Sequence, residues 1–283
     1  MNLQNIGVIG AGTMGNGIAQ VCALAGFNVT LIDISESALQ RAIATVDKNL
    51  DRQVAKDALT QEQKLAALDK IRTSTDYGSL LNAQLVIEAA TENLALKLRV
   101  LQQIAAQVSA ECVIASNTSS LSITQLAASV SQPERFIGLH FFNPVPVMGL
   151  IEVIRGLQTS DATHALALDM AKALGKTAIT AGNRPGFVVN RILVPMINEA
   201  ILVLQEGLAS AEDIDAGMRL GCNQPIGPLA LADLIGLDTV LAILEAFYDG
   251  FNDSKYRPAP LLKEMVAAGY LGRKTGRGFH AYA

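Results

Sequence analysis

Three histidines occur in this chain, and the position of His140 is the one that suits chemistry. His140 lies near the end of the predicted strand RFIGLHF, where the chain leaves the edge of a sheet, the usual place for active-site residues in open α/β folds. Glu152 follows in the apolar run LIEVI, where a carboxylate is costly to bury unless it is paired. An imidazole would satisfy that carboxylate and be oriented by it, so the pattern predicts a His–Glu acid/base pair. A hydrogen-bonded core histidine and a surface-facing Glu152 are the alternatives, and we expect His164 and His280 to be structural or solvated.

A glycine-rich segment near the start of the chain predicts a dinucleotide site. It consists of Gly10, Ala11, Gly12, Thr13, Met14 and Gly15, which form G-x-G-x-x-G between a predicted strand and a predicted helix. The first glycine permits the turn, the second lets the backbone approach a pyrophosphate, and the third allows close packing of helix on strand. Asp33 ends the next strand, where its carboxylate can accept from ribose hydroxyls and repel a 2′-phosphate. Because no arginine follows Asp33 directly, the sequence favours NAD over NADP.

Two polar clusters could contact a substrate. Ser116–Ser120 directly follow the strand CVIAS, and Gly186–Arg191 open the first helix of a second region. Serine and asparagine side chains there could bind a carbonyl and a hydroxyl oxygen without competing with the base. The alternative is that they serve only as polar turns and helix caps.

A basic stripe is predicted on the long helix that follows Asp33. Lys48, Arg52 and Lys56 are spaced four residues apart, so they would share one helix face. Such a stripe could meet the phosphates of coenzyme A. The alternative is a solvated face whose charge is balanced by Asp47 and Asp51.

Alternating strands and helices fill the first two thirds of the chain, and helices fill the rest. Strands are predicted over 3–9, 28–32, 85–88, 112–116 and 136–141, with LIEVI as a further strand that returns beside 136–141. Helices are predicted over 14–26, 36–55, 61–70 and 93–108. After the turn Arg184-Pro185-Gly186, helices are predicted over 187–205, 211–219, 228–234 and 237–249. The pattern predicts an α/β Rossmann-type domain over residues 1–183 with a mostly parallel sheet, followed by an all-α domain over 184–283.

Together these motifs resemble the 3-hydroxyacyl-CoA dehydrogenase family over nearly the whole chain. The segments that carry the resemblance are GAGTMG (10–15), EAATEN (88–93), SNTSSL (116–121), GLHFFNPVPVM (138–148), IEVI (151–154), RPGFVVNR (184–191) and KTGRGF (274–279). The resemblance implies NAD-dependent interconversion of a short-chain (S)-3-hydroxyacyl-CoA, such as 3-hydroxybutyryl-CoA, and the 3-ketoacyl-CoA. It implies a place in fatty-acid β-oxidation.

The resemblance also implies roles for individual residues. His140 would be the base, Glu152 its orienting carboxylate, and Ser119 and Asn190 would lie at the substrate's oxygens. The positions that match cofactor contacts are Asp33, Glu92, Lys97, Asn117, Ser119, Asn143 and Lys274, and those that match CoA contacts are Ser119, Asn190, Lys56 and Asn49. Two positions depart from the family: Gly149 stands where many relatives carry lysine, and His280 replaces a more usual tyrosine.

Composition narrows the class of protein and its partners. The chain has 283 residues, half of them hydrophobic, and a formal charge of −4, which gives no electrostatic footprint for nucleic acid. No apolar run is long enough to span a membrane, and residues 1–10 lack the basic start and cleavage site of a signal peptide. Three widely spaced cysteines without a CxxC pair argue against disulfides and a metal site and are expected to be small buried hydrophobes. We expect a cytoplasmic protein whose helical domain forms a homodimer.

Two other functions remain open at this stage. One is a dehydrogenase of a free β-hydroxyacid or sugar acid, which would call for a catalytic lysine and an arginine clamp. The other is a catalytically silent structural protein that binds NADH. The His140–Glu152–Asn190 set favours the acyl-CoA enzyme over both.

Overall fold

The computed structural model describes residues 3–282 and divides into two compact units. The first unit ends at Asn183 and the second begins at Arg184. Residues 1, 2 and 283, at the outer ends of the predicted domains, lie outside the described residues.

An eight-stranded sheet forms the centre of the first unit. Its strands are β1 (Asn5–Ile9), β2 (Asn28–Ile32), β3 (Ile71–Ser74), β4 (Leu85–Glu88), β5 (Val113–Ser116), β6 (Phe136–Phe141), β7 (Leu150–Arg155) and β8 (Thr177–Gly182). They lie in the order β3-β2-β1-β4-β5-β6-β7-β8, and every neighbouring pair is parallel except β6 and β7. The chain runs outward from β1 in one direction to β3 and then resumes at β4 on the other side of β1. Such a switch point is where open α/β sheets bind ligands.

Six helices accompany the sheet among the described residues of this unit. They are α1 (Thr13–Leu24), α2 (Glu36–Val54), α3 (Gln61–Asp69), α4 (Leu94–Gln107), α5 (Ile123–Ala127) and α6 (Asp161–Ala173). Their starts follow local capping chemistry: Ser35 accepts from the amide of Ala38, and Thr60 forms a capping box with Gln63. Apolar faces of α1, α2 and α6 pack on alternate residues of the strands, which gives one continuous core.

The second unit consists of helices around their own core. These helices are α7 (Val189–Gln205), α8 (Ala211–Gly221), α9 (Pro228–Ile235), α10 (Leu237–Phe251) and α11 (Pro260–Ala267). Val194, Leu229, Leu244 and Phe247 are among the fully buried residues that join them. The carboxylate of Asp233, which is 1 % exposed, fixes the last segment of the chain by accepting from the amides of Phe279 and His280 and from the Tyr282 hydroxyl.

The predicted fold class is confirmed, and most predicted elements lie within two residues of their observed bounds. Strands β3 and β8 and helices α5 and α11 were not predicted. β3 has two half-buried end residues and two exposed middle residues, and β8 carries only one buried residue, so neither has the apolar run that marked the central strands. The cysteine prediction holds for Cys22 and Cys112 but is wrong for Cys222, which is exposed beyond the end of α8. No helix between residues 3 and 282 combines the length and apolar character needed to cross a bilayer.

Candidate active site

His140 and Glu152 lie directly opposite each other in the antiparallel pair β6/β7. The Nδ1 atom of His140 is 2.7 Å from Oε2 of Glu152. His140 is 7 % exposed and Glu152 is fully buried, so the carboxylate is paired with the imidazole inside the protein rather than with water. The two side chains are therefore in contact, and with Nδ1 engaged by Glu152 the Nε2 atom lies on the other side of the ring; their role as an acid/base pair stays a prediction.

The residues around His140 restrict its ring further. The ring of Phe142 lies against it with a centroid distance of 4.5 Å. Buried Asn117 accepts a hydrogen bond from the amide of Phe141 at 2.9 Å, which ties the end of β6 to the loop after β5. Asn117, predicted to contact the cofactor, thus also holds the backbone next to the histidine.

The glycine loop has the shape that a dinucleotide requires. Gly10 adopts a φ of +98°, and a Cβ there would lie 2.7 Å from the carbonyl oxygen of Ala89. A Cβ on Gly15 would lie 1.7 Å from the carbonyl oxygen of Gly10, whereas one on Gly12 would project into open space. Gly12 is also the residue before α1, and its helix start has no side-chain cap. The loop therefore leaves open the space that a pyrophosphate would fill, with helix amides directed towards it.

Asp33 follows β2 and is linked to the same loop. Its Oδ2 accepts from the amide of Ala11 at 2.8 Å, and its Oδ1 accepts from the amide of Ser35 at 3.0 Å. The carboxylate is half-buried, so it can still offer its remaining acceptor capacity to a ribose.

Glu92 organises the serine-rich loop after β5. It accepts from the hydroxyl of Thr118 at 2.8 Å and from the amide of Ser119 at 3.1 Å. The loops after β4 and β5, which carry the predicted cofactor and substrate contacts, are thereby joined at the carboxyl edge of the sheet.

The turn between β6 and β7 carries Asn143, whose side chain is exposed. The ammonium of Lys176 donates to the carbonyls of Val145 and Met148 at 2.8 and 2.6 Å. Burial lowers the pKa of Lys176. The turn also packs on α1, where a Cβ on Gly17 would lie 2.8 Å from Cβ of Val145. Sequence reasoning missed Lys176, because no pattern near it indicates that two distant carbonyls need a donor.

The side chain of Lys97, which was predicted to contact NAD, is buried and paired with an acid. Its side chain is 1 % exposed, and its Nζ is 2.5 Å from Oε2 of Glu88, which is fully buried at the end of β4. Sequence reasoning missed Glu88, although an acid in a short apolar strand was the same signal that singled out Glu152. The contact of Lys97 with the cofactor stays a prediction.

The predicted basic stripe needs correction. Helix α2 ends at Val54, so Lys56 lies beyond it in an exposed turn and does not continue the face of Lys48 and Arg52. Lys64 of α3 pairs with both acids that were expected to balance the stripe, at 2.6 Å from Asp47 and 2.5 Å from Asp51.

Asn49, also on α2, is half-buried and faces α1. Its Nδ2 lies 3.5 Å from Oε1 of buried Gln20, and its Oδ1 accepts from Arg52. Its predicted CoA contact is not tested by these bonds and stays a prediction.

Three residues singled out from the sequence belong to the second unit. Asn190 lies in the first turn of α7, and Lys274 pairs with Asp238 at 2.5 Å. His280 is a structural residue within this unit: its Nε2 is 2.8 Å from Oδ2 of Asp215, and its Nδ1 is 3.6 Å from Glu212.

Comparison with known proteins agrees with this geometry. Residues 5–184 match the family model of the 3-hydroxyacyl-CoA dehydrogenase NAD binding domain, and residues 186–282 match that of the C-terminal domain. The 3-hydroxybutyryl-CoA dehydrogenase of Bradyrhizobium diazoefficiens is 51 % identical over 99 % of this chain and 96 % of its own. The probable 3-hydroxybutyryl-CoA dehydrogenase of Bacillus subtilis is 48 % identical over 100 % of this chain and 98 % of its own.

Solved structures lead to the same group. The crystal structure of (S)-3-hydroxybutyryl-CoA dehydrogenase from Ralstonia eutropha matches with a TM-score of 0.98 and 61 % identity, over the whole of both chains. The resemblance and the NAD cofactor expected from the sequence are confirmed by these matches. The chain belongs to the 3-hydroxyacyl-CoA dehydrogenase family of NAD-dependent enzymes.

Proposed function

We propose that this enzyme interconverts (S)-3-hydroxybutyryl-CoA and acetoacetyl-CoA, with His140 and Glu152 as its acid/base pair. The observation that carries the proposal is the 2.7 Å contact between Nδ1 of His140 and the buried carboxylate of Glu152. The names of relatives that are about half identical over nearly their full length support the four-carbon substrate.

In the oxidation, His140 removes the proton of the substrate's C3 hydroxyl through Nε2. Glu152 holds the ring by Nδ1 and stabilises the imidazolium that forms. Bound NAD⁺ supplies the hydride acceptor for C3. In the reverse direction, the imidazolium donates its proton to the ketone oxygen.

Polar side chains are proposed to position the substrate. Ser119, whose backbone amide donates a hydrogen bond to Glu92, is proposed to bind the thioester carbonyl or the C3 oxygen. Asn190, in the first turn of α7, is proposed to contact a substrate oxygen as well. Correct placement of reacting atoms removes part of the entropic barrier, which is the main contribution that such side chains make.

Parallel assays with several substrates test the proposal. We expect rapid NADH oxidation with acetoacetyl-CoA and little or none with acetoacetate or a free sugar acid. Turnover of a free acid in preference to the thioester would favour a β-hydroxyacid dehydrogenase. Tight NADH binding without turnover of any of these substrates would favour the silent structural protein.

We also propose that the second unit mediates a homodimer and that the enzyme acts in cytoplasmic fatty-acid β-oxidation. Large apolar side chains on its helices and turns support the dimer: Ile192 is 67 %, Leu208 76 % and Leu220 83 % exposed in the single chain. Light scattering measures the mass directly. A monomer at micromolar concentration would contradict this assignment.

A further inference from the structure

One lysine outside the turn between β6 and β7 bonds to that turn, and the proposed chemistry does not use it. Nζ of Lys176, the residue directly before β8, donates to the carbonyls of Val145 and Met148 at 2.8 and 2.6 Å. The next amide along the chain, that of Thr177, donates to the carbonyl of Gly149 at 2.7 Å. Two consecutive residues at the start of β8 therefore satisfy three carbonyls of the turn.

Packing alone gives this turn little support. Most of its residues are exposed, among them Val147 at 76 % and Met148 at 39 %. Val145, which is 2 % exposed, is the one buried residue among those described in the turn. It lies on α1, where a Cβ on Gly17 would be 2.8 Å from its own Cβ. The two bonds from Lys176 are therefore a large part of what fixes the turn in one position.

The backbone of Lys176 is itself fixed at the edge of the sheet. Its amide donates to the carbonyl of Ala171 in α6 at 3.0 Å, and β8 pairs in parallel with β7 from Thr177 onwards. Burial lowers the pKa of Lys176. The neutral amine still has two N–H groups, one for each carbonyl, so the link to the turn does not depend on the charge.

The turn carries Asn143, two residues after the end of β6, the strand that contains His140. The glycine loop after β1 suits a pyrophosphate, and Asp33 after β2 suits the ribose of the adenosine half. We therefore expect the nicotinamide half to extend to the other side of β1, towards the ends of β5 and β6. Asn143 lies on that side of the sheet.

We propose that Lys176 is a positioning residue for the cofactor: by holding the turn between β6 and β7, it keeps Asn143 in place for the nicotinamide half of NAD. Its Nζ is engaged by the two carbonyls, so it acts through the turn and not by touching the cofactor. The inference rests on the proposed function, because it assumes that His140 and Asn143 face bound NAD.

Lys176→Met removes both bonds and keeps most of the volume of the side chain. Because most of the turn is exposed, water can replace the lost donor, and the protein should fold while the turn loosens. The Kd for NADH should rise by about fivefold or more. The Kd for ADP, which has the adenosine and the pyrophosphate but no nicotinamide, should stay within about twofold of the wild-type value. Calorimetric titration with each ligand alone measures both constants.

A second pair of variants shows whether Lys176 acts through Asn143. Asn143→Ala changes an exposed side chain and should weaken binding of NADH but not of ADP. In the double variant with Lys176→Met, the NADH Kd should lie within about twofold of that of Asn143→Ala, because the turn then has no contact left to position. If the two losses multiply, Lys176 acts elsewhere than through Asn143 and the proposal is wrong.

Two other results would overturn the proposal. A wild-type NADH Kd in Lys176→Met, even with a lower Tm, would mean that the lysine only stabilises the fold. Equal losses of NADH and ADP affinity would mean that it acts on the pyrophosphate or on the whole domain. Lys172→Met, which removes an exposed lysine of α6, is the matched control and should bind both ligands as the wild type does.

The comparison survives two possible failures. If Lys176→Met does not fold, Lys176→Gln replaces it throughout, because its shorter side chain cannot reach both carbonyls. If the wild type does not reduce acetoacetyl-CoA with NADH, the proposed function is wrong, but the titrations with NADH and ADP still decide the role of Lys176.

Discussion

Nδ1 of His140 and Oε2 of Glu152 meet at 2.7 Å because the two residues are directly opposed in the only antiparallel strand pair of the described sheet. Directly opposed residues place their side chains on the same face, about 5 Å apart at Cβ. The contact between His140 and Glu152 is therefore set by the register of β6 and β7. A shift of one residue in that register would move Glu152 to the opposite face and break the pair.

The first prediction treats this pair as one unit. His140→Ala removes the base and should lower kcat by about 10²–10⁴ with NADH binding intact. Glu152→Gln keeps the shape but loses the charge that stabilises imidazolium, so kcat should fall by about tenfold or more. The double variant should be scarcely slower than His140→Ala, because residues acting as one device are non-additive.

Steady-state kinetics of the three variants, with thermal unfolding as a check on the fold, make the measurement. His164→Ala is the matched control, since the His164 side chain is hydrogen-bonded to the Thr180 hydroxyl, away from the pair, and its removal should leave kcat unchanged. If the losses of the two single variants multiply in the double variant, Glu152 acts elsewhere than through His140.

The second prediction concerns cofactor choice at Asp33. The enzyme should prefer NADH over NADPH by at least about tenfold, or about 1.4 kcal/mol. Asp33→Asn removes the charge but can still accept from the amide of Ala11, so its preference for NADH should shrink while the loop stays anchored. Asp33→Ala loses both and should bind NADH more weakly than Asp33→Asn.

Kd values for NADH and NADPH in the three proteins check these outcomes. Glu36→Gln, an exposed acid in the first turn of α2, serves as the control. Equal affinity of the wild type for both cofactors would contradict the prediction that Asp33 binds the ribose of NAD.

The contrast between His140 and Lys97 shows what sequence reasoning could and could not reach. His140, Asp33 and the glycine loop lie at or directly after strand ends, and Glu152 lies within a strand. Strands of this kind follow from short apolar runs that the sequence displays. Lys97 lies on a helix, and nothing in its spacing reveals whether it turns towards solvent or towards Glu88. Lys176 contacts carbonyls about thirty residues away, so its partners depend on tertiary packing alone.

The third prediction concerns coenzyme A. Lys56 lies in an exposed turn. The acids of α2 nearest to Lys56, Asp47 and Asp51, are paired with Lys64, so the charge of Lys56 is available to a phosphate. Lys56→Ala should raise KM for acetoacetyl-CoA severalfold and leave KM for a pantetheine analogue without the nucleotide unchanged. It should also weaken the salt dependence of KM.

Initial-rate kinetics with both substrates at low and high salt provide the measurement. Lys263→Ala, an exposed lysine of α11, is the control. An equal rise in KM for both substrates would show that Lys56 does not contact the nucleotide.

The fourth prediction concerns the thiols. Burial raises the pKa of Cys22 to about 12 and that of Cys112 to about 12, so both stay protonated at neutral pH. Cys222 is exposed, and we expect it alone to react rapidly with a disulfide reagent in the folded protein. The other two should react only after unfolding.

Titration with the disulfide reagent, with and without denaturant, counts the reactive thiols and tests this prediction. Cys222→Ser should abolish the fast reaction. A second fast thiol in the folded protein would mean that Cys22 or Cys112 becomes accessible without global unfolding.

Gly149, which directly precedes β7, has room for a side chain. A Cβ added at this position meets nothing within 4 Å, and its backbone is not in the left-handed region, so glycine is not required there. A larger or charged side chain can therefore replace Gly149 without a steric clash. Such a change would alter the charge beside the turn between β6 and β7 while leaving the contact between His140 and Glu152 in place.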